Sequence, residues 1–395
     1  MFGKNKTSED FCFSLFSGGA QYKFYEKLDD TDLKTLIDPG KFCPSITTLN
    51  KKYYYWLKRI RYIDDAYTSK DLGVYRHYFY LIENKPDFDN ILWPADIVDI
   101  SRPILDMEGK ALTVSRHHDA RDDSNKIDVS NYGLIFPYFN DLSEFDLTAR
   151  NIVDYYKNSR GPENERLTYK NPVIRKMIIE IVNALKGLYD SGYIYYDISL
   201  PRFIIDNTGP ESCIFLDFSN LIYGRNEFEK EEMFLIEEPK EIEADFAEPF
   251  FMDHDEIIIA DEHAFLFSLC SLMFYLMFGR NAYAGSSQVE DESSLLQHYR
   301  IAKERLKNPY FVFDKDEANN INKLGLLASD NALIDLFNEA PAELKEFFIE
   351  TLSYENATRT NAYSFAPSLD DWLNCFKAYG WISESKKTRI VLPEN

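Results

Sequence analysis

The spacing of hydrophobic and polar positions changes near residue 140. Before that point apolar residues come in short runs broken by polar and turn-forming residues. FCFSLF and AQYKFYEKL read as strands joined at a Gly-Gly turn, and DLKTLID reads as a further strand. Across residues 46–62, ITTLNKKYYYWLKRIRY, the aromatic and aliphatic positions predict a helix with one apolar face. YFYLIE, ILWPADIVDI, ALTVSR and YGLIFPYF then read as strands joined by polar loops. The loop across 109–130, with His117, His118 and Asp119, reads as a solvated excursion between two strands.

Beyond about residue 145 the apolar spacing lengthens to three and four. NPVIRKMIIEIVNALKGLYDSG predicts a long helix that stops at Gly192. PRFIID and SCIFLDF predict two strands joined at the turn NTGPE. Residues 226–245 are acidic. The run from Ala264 to Gly279 carries no charge, and it follows directly on Asp261, Glu262 and His263. A spanning helix needs about 20 apolar residues, so this run predicts a helix buried on all sides within a soluble domain. Helices continue to about residue 378, and residues 381–395 form a polar tail. A β-rich part followed by an α-rich part implies an α+β protein with two lobes, residues 1–139 and 140–380.

Composition narrows the function. The 395 residues include 45% hydrophobic and 15% aromatic positions, enough to bury a large core. The net charge of −22 argues against nucleic acid and against anionic membrane surfaces as partners, because both are bound by clustered Lys and Arg. The five cysteines, Cys12, Cys43, Cys213, Cys270 and Cys375, show no C-x-x-C spacing, and MFGKNKTSED has no apolar signal core. Both features predict a cytoplasmic protein without a disulfide framework.

The block SGYIYYDISLPRFIIDNTGPESCIFLDFSN, residues 191–220, carries the candidate chemistry. It reads as a helix end, Asp197 on a loop, a hairpin, and Asp217 at a strand end. This order resembles the catalytic loop and metal-binding turn of protein kinases. YYD (195–197) stands where the family has H-R-D, and DFS (217–219) where it has D-F-G. The resemblance implies a bilobal protein-kinase-like fold, with a β-rich amino-terminal lobe, that uses ATP and Mg²⁺. Asp197 would orient the acceptor hydroxyl, and Asp217 would hold Mg²⁺. Lys34 would hold phosphate, and Gly18 and Gly19 would form the glycine-rich turn over it. The backbone from Phe136 to Tyr138 would be the hinge beside adenine.

Further elements follow in family order. FLFSLCSLMFYLMFGRNAY (265–283) resembles the central helix and its ending. AEP (247–249) resembles a scrambled A-P-E, and Arg359 with Trp372 resembles the late R-P-x-x-x-x-W element. LWPADIVD (92–99) resembles the W-P-x-D-x-V element of atypical bacterial kinases, the helix-hairpin-helix and stress-associated group. The chain also departs from the family. Arg202 stands where an Asn would hold a second Mg²⁺; it could contact phosphate or close the site. The helix assigned to 46–62 offers no acid to pair with Lys34, Tyr196 replaces the usual Arg, and Phe265 replaces the central-helix Asp.

Three readings follow from the resemblance. The first is a Ser/Thr protein kinase. The second is a catalytically impaired pseudokinase acting as a nucleotide-regulated binding module. The third is a small-molecule phosphotransferase of aminoglycoside type. The acidic stretch, from Glu227 to Asp245, would face the substrate and predicts a protein partner with a basic surface.

Overall fold

The structure is a computed structural model. It describes residues 11–14, 20–24, 42–48, 54–61, 81–86, 91–99, 129–137, 148–195, 198–206, 213–217, 221–222, 246–252, 261–284, 307–316, 330–360 and 364–382. The chain forms two compact units. One comprises residues 1–86 and 92–142, and the other residues 87–91 and 143–395.

The first unit is built on strands. Its described strands are β1 (Phe11–Ser14), β2 (Ala20–Phe24), β3 (Phe42–Thr48) and β4 (Tyr54–Arg61). The short β5 (Ile91–Leu92) straddles the boundary between units, and β6 (Asp96–Asp99) and β7 (Val129–Pro137) follow. The strands β1-β2-β3-β4-β7-β6 close into an antiparallel barrel, in which β6 returns to pair with β1. Closure removes the exposed edges that would otherwise template pairing with other chains.

This barrel overturns the helix expected across 46–62. Where the structure describes them, at 46–48 and 54–61, those residues instead form the end of β3 and the whole of β4, which pair antiparallel through Ile46↔Tyr55 and Thr47↔Tyr54. The physical reason lies in residue type. Tyr54, Tyr55, Trp56, Ile60 and the Ile46-Thr47-Thr48 run are β-branched or aromatic and fit a pleated surface. The polar interruption Asn50-Lys51-Lys52 divides them into two runs, each of strand length. The strand reading of YFYLIE is also corrected where the structure describes it, because residues 81–83 are helical. The strand readings of ILWPADIVDI and YGLIFPYF hold at β5, β6 and β7.

Trp93 explains how the W-P element is used. Its side chain is buried, and its indole Nε1 donates to the Leu81 carbonyl at 2.6 Å. Carbonyls at a helix end have no intrahelical donor, so Trp93 satisfies one and ties the 81–83 helical end to the run between β5 and β6. Asp96 is also buried; its carboxylate accepts from the Ile97 amide at 2.7 Å.

The second unit is mainly helical. It begins with α1 (Ala149–Lys157), a 3-10 turn at Glu163–Glu165, and α2 (Pro172–Asp190). Helix α2 starts where the sequence says it should. Asn171 accepts from the Val173 amide as N-cap, and Pro172 occupies the first turn. Its apolar stripe, including Ile174, Ile178, Ile181 and Leu185, is buried. Gly192 ends the helix at φ 89°, and the next amide, that of Tyr193, returns to the Leu188 carbonyl.

Next come β8 (Ile194–Tyr195), a 3-10 turn (Leu200–Arg202), β9 (Phe203–Asp206), β10 (Cys213–Asp217) and β11 (Leu221–Ile222). β9 and β10 pair antiparallel from Cys213↔Asp206 to Leu216↔Phe203, and β11 pairs with β8. The expected hairpin is therefore present. The remaining helices are α3 (Pro249–Met252), α4 (Glu262–Phe278), α5 (Asp330–Glu339), α6 (Ala342–Leu352), α7 (Tyr354–Ala357) and α8 (Leu369–Ala378).

Helix α4 is the uncharged run. Its residues from Ala264 to Phe274 are all buried, as expected of a helix that is apolar on every face. Asp261 caps its start by accepting from the Ala264 amide, and Gly279 ends it at φ 70°. A side chain at Gly279 would bring Cβ to 3.0 Å from the Leu167 carbonyl oxygen. Among the described residues, no helix is long and apolar enough to cross a membrane.

Candidate functional site

The second unit sets up its candidate site through the path of the chain after α2. The Gly192 turn releases the chain into β8, whose Tyr195 is buried. Ile198, Ser199 and Leu200 are buried on the far side of Asp197. Pairing of β8 with β11 fixes one border of this segment, and the 3-10 turn leading into β9 fixes the other. Arg202 closes that 3-10 turn and is half-buried. Asp217 is the last residue of β10 and follows Leu216, which is paired with Phe203.

Of the other residues singled out in the sequence, Phe136 lies in β7 with a fully buried side chain. Asp197, Lys34, Gly18, Gly19 and Tyr138 lie outside the described residues, as do the polar loop at 109–128 and the acidic stretch at 226–245. Phe136 belongs to one compact unit, and Arg202 and Asp217 to the other.

The most completely defined polar cluster in the second unit centres on Arg359. Its Nε and Nη2 donate to the two carboxylate oxygens of Glu248, each at 2.7 Å. Its Nη1 and Nη2 also donate to Asp261, at 2.7 and 2.8 Å. The Glu248 side chain is 0% exposed. The Phe250 ring lies 4.8 Å from the guanidinium carbon. His263 Nδ1 sits 3.2 Å from Glu248 Oε1. One guanidinium thereby joins the segment before α3, the N-cap of α4 and the segment after α7. Burial works to raise the Asp261 carboxyl, but hydrogen bonds from Arg359 and the Ala264 amide outweigh it and hold the group below the usual carboxylate range.

Arg359 adopts φ 51°, the only left-handed non-glycine conformation among the described residues. A residue with a side chain is strained there and is held by its surroundings. Four charge-assisted hydrogen bonds into two carboxylates supply that restraint. Glu248, Asp261 and His263 also bring ligand-type atoms within 4.8 Å of one another. The guanidinium already supplies the positive charge and occupies both carboxylates, so this cluster is an ion-pair knot and does not fit a metal centre.

The knot was half legible in the sequence. AEP and the Arg359…Trp372 element were each recognisable, but their contact across 111 positions was not. Asp261 and His263 gave no signal beyond preceding an apolar run. Lys58 is a second residue that the hydrophobic pattern does not single out. In β4 it pairs with Phe42 on one side and Leu134 on the other, beside Trp56↔Phe136. A strand reading of Tyr54–Arg61 would have exposed it as a rival to Lys34. Glu83, exposed at the 81–83 helical end, is an acid of the kind that the sequence of residues 46–62 does not offer.

No protein family and no curated protein matches the chain. Among solved structures it is similar to ROP2 from Toxoplasma gondii, described as a virulence factor with a protein-kinase fold and no enzymatic activity. The match has 10% sequence identity and a TM-score of 0.47, and it covers 94% of this chain and 87% of that one. At that identity and score the likeness assigns neither a family nor an activity.

Proposed function

We propose that the chain is a protein-kinase-like phosphotransferase that moves the γ-phosphoryl group of ATP to Ser or Thr hydroxyls of a protein. One observation carries the reading. AEP and the Arg359…Trp372 element, matched separately by motif order, meet through the bidentate Arg359–Glu248 pair. The order helix α2, Asp197, hairpin β9–β10, Asp217, then the buried helix α4, supports it further.

In this reading Asp197 orients the acceptor hydroxyl and receives its proton. Asp217 holds Mg²⁺, whose chemistry is to neutralise charge building up on the β- and γ-phosphates. Carboxylate oxygens suit that hard cation. A lysine holds phosphate, and both Lys58 on β4 and Lys34 qualify by residue type. Gly18 and Gly19 lie between β1 and β2, where a turn could bring backbone amides to phosphate. Phe136 and Tyr138 supply the adenine border. The acidic residues from Glu227 to Asp245 favour a protein partner with a basic surface.

Arg202 favours a second reading. It closes the 3-10 turn before β9, at the position where the resemblance expects a metal-binding Asn. A guanidinium has donors only and cannot ligate a cation. It can substitute for one against phosphate, which describes a pseudokinase that binds nucleotide without turnover.

Melting temperature measured with ATP, with and without Mg²⁺, separates the readings. Binding at a hundredfold excess over Kd stabilises by about 2.7 kcal/mol. A shift that requires Mg²⁺ and disappears in Asp217→Ala supports the phosphotransferase. A shift independent of Mg²⁺ and reduced in Arg202→Ala supports the pseudokinase. No shift under either condition overturns both. Lys34→Ala and Lys58→Ala, compared in the same assay, identify the phosphate lysine by which one removes the shift.

A further inference from the structure

Phe265 stands in α4 where the kinase resemblance expects a carboxylate that supports the catalytic loop. It is buried, and the structure shows what surrounds it. The ring of Tyr189, in the last turn of α2, stacks on Phe265 with centroids 6.2 Å apart and planes at 12°. The Tyr189 hydroxyl donates to the Glu262 carboxylate, in the first turn of α4. Tyr189 therefore grips α4 twice, through a ring contact and a charge-assisted hydrogen bond.

The position of this grip matters. Three residues beyond Tyr189 the chain turns at Gly192, which is anchored through its amide to the Tyr189 carbonyl at 2.9 Å. Tyr193, β8 and Asp197 follow directly. The loop thus leaves from a helix end whose side chain and main chain are both engaged at Tyr189. Helix α4 also packs against β8 itself. Any rotation of the last turn of α2 relative to α4 is carried into the strand that leads to Asp197.

We propose that Tyr189 and Glu262 are positioning residues for the Asp197 loop, replacing with a phenol–carboxylate tie the support that Phe265 cannot give. The proposal rests on the phosphotransferase reading for its kinetic consequence, whereas its structural consequence stands independently of that reading.

Three variants test it. Tyr189→Phe keeps the ring stack and removes the hydroxyl, Glu262→Ala removes the acceptor, and Glu262→Gln keeps an acceptor oxygen. Misplacement of a reacting group by about 1 Å can cost about a hundredfold in rate. Tyr189→Phe and Glu262→Ala should therefore each lower kcat by at least about tenfold, with KM for ATP unchanged. Glu262→Gln should retain kcat near the parent value, and the double variant Tyr189→Phe/Glu262→Ala should be no worse than either single one. Unchanged kcat in both single variants, or equal losses in kcat and thermal stability in all three, overturns the proposal.

A parent protein that transfers no phosphate sinks the phosphotransferase reading, and the tie is then read from amide hydrogen exchange. Exchange across residues 193–198 should be faster by about tenfold in Tyr189→Phe and Glu262→Ala but not in Glu262→Gln. Equal protection in all four proteins overturns the proposal in that case too.

Discussion

Two regions of α4 are held by different physics. Around Phe274 the described contacts of the helix are with aromatic rings. That ring is fully buried, with Phe278, Phe311 and Phe348 at centroid distances of 4.8, 5.3 and 5.3 Å. At its amino-terminal end the same helix is bound through Asp261 to Arg359 and, across that guanidinium, to the buried Glu248. The apolar region gains from removing area from water, and it has little directional demand. The ionic region gains only while every partner is present, because a bare buried carboxylate is costly. The first can be altered in degree, whereas the second fails when the fully buried Glu248 loses its partner.

The largest predicted effects put that difference to a direct test. Phe274→Ala should cost about 3–5 kcal/mol by creating a cavity. Arg359→Ala should cost a similar amount, about 3–5 kcal/mol, by stranding Glu248. The two losses should respond differently to a second change. Adding Glu248→Leu to an Arg359→Met background should restore most of the lost stability, since the uncompensated charge is gone. Chemical denaturation of the four variants measures this. Failure of the double replacement to recover would mean that the knot holds its three segments by direction rather than by charge balance.

The carboxy-terminal end of α4 sharpens the comparison by isolating backbone geometry from both. Gly279→Ala should cost about 1–2 kcal/mol for the left-handed conformation alone. The Leu167 carbonyl, 3.0 Å from the new Cβ, adds to that cost because main chain cannot move aside cheaply. The difference in melting temperature between the two proteins checks this.

The smallest effect is on acid stability. The Asp261 carboxyl is held below its usual range in the folded chain, so the unfolded chain binds the proton more readily. Its contribution is fully present above the ordinary carboxylate value of about 4 and is lost as pH falls through the lower folded value. The side chain is 49% exposed, so the contribution should stay under about 1 kcal/mol. Asp261→Asn keeps an N-cap acceptor. It should flatten the dependence of stability on pH below 4 without moving the neutral-pH melting temperature by more than a few degrees. An unchanged slope would show that Asp261 serves α4 only as a cap.

Legibility from sequence followed the same division. Helices α2 and α4 could be read because one face or every face is apolar over many turns, and Gly192 and Gly279 mark their ends. The β9–β10 hairpin could be read because its strands are short, β-rich and separated by turn residues. The barrel strand β4 was lost because its aromatic positions satisfy helical and strand spacings at once, and only pairing with β3 and β7 decides between them. The ion-pair knot was lost for another reason. Its partners are far apart in sequence, and a lone Glu, Asp or Arg in a loop carries no sign of its partner. The Tyr189–Glu262 tie was hidden in the same way.

Transfer of labelled γ-phosphate from ATP in the presence of Mg²⁺, to the chain itself or to a basic Ser- and Thr-containing peptide, tests the central claim most directly. The parent protein should transfer label, Asp217→Ala should lose at least about a hundredfold in rate, and Asp197→Asn should lose a comparable factor. Absence of transfer in the parent protein, or equal transfer by Asp217→Ala, would contradict the proposal that this chain is a phosphotransferase.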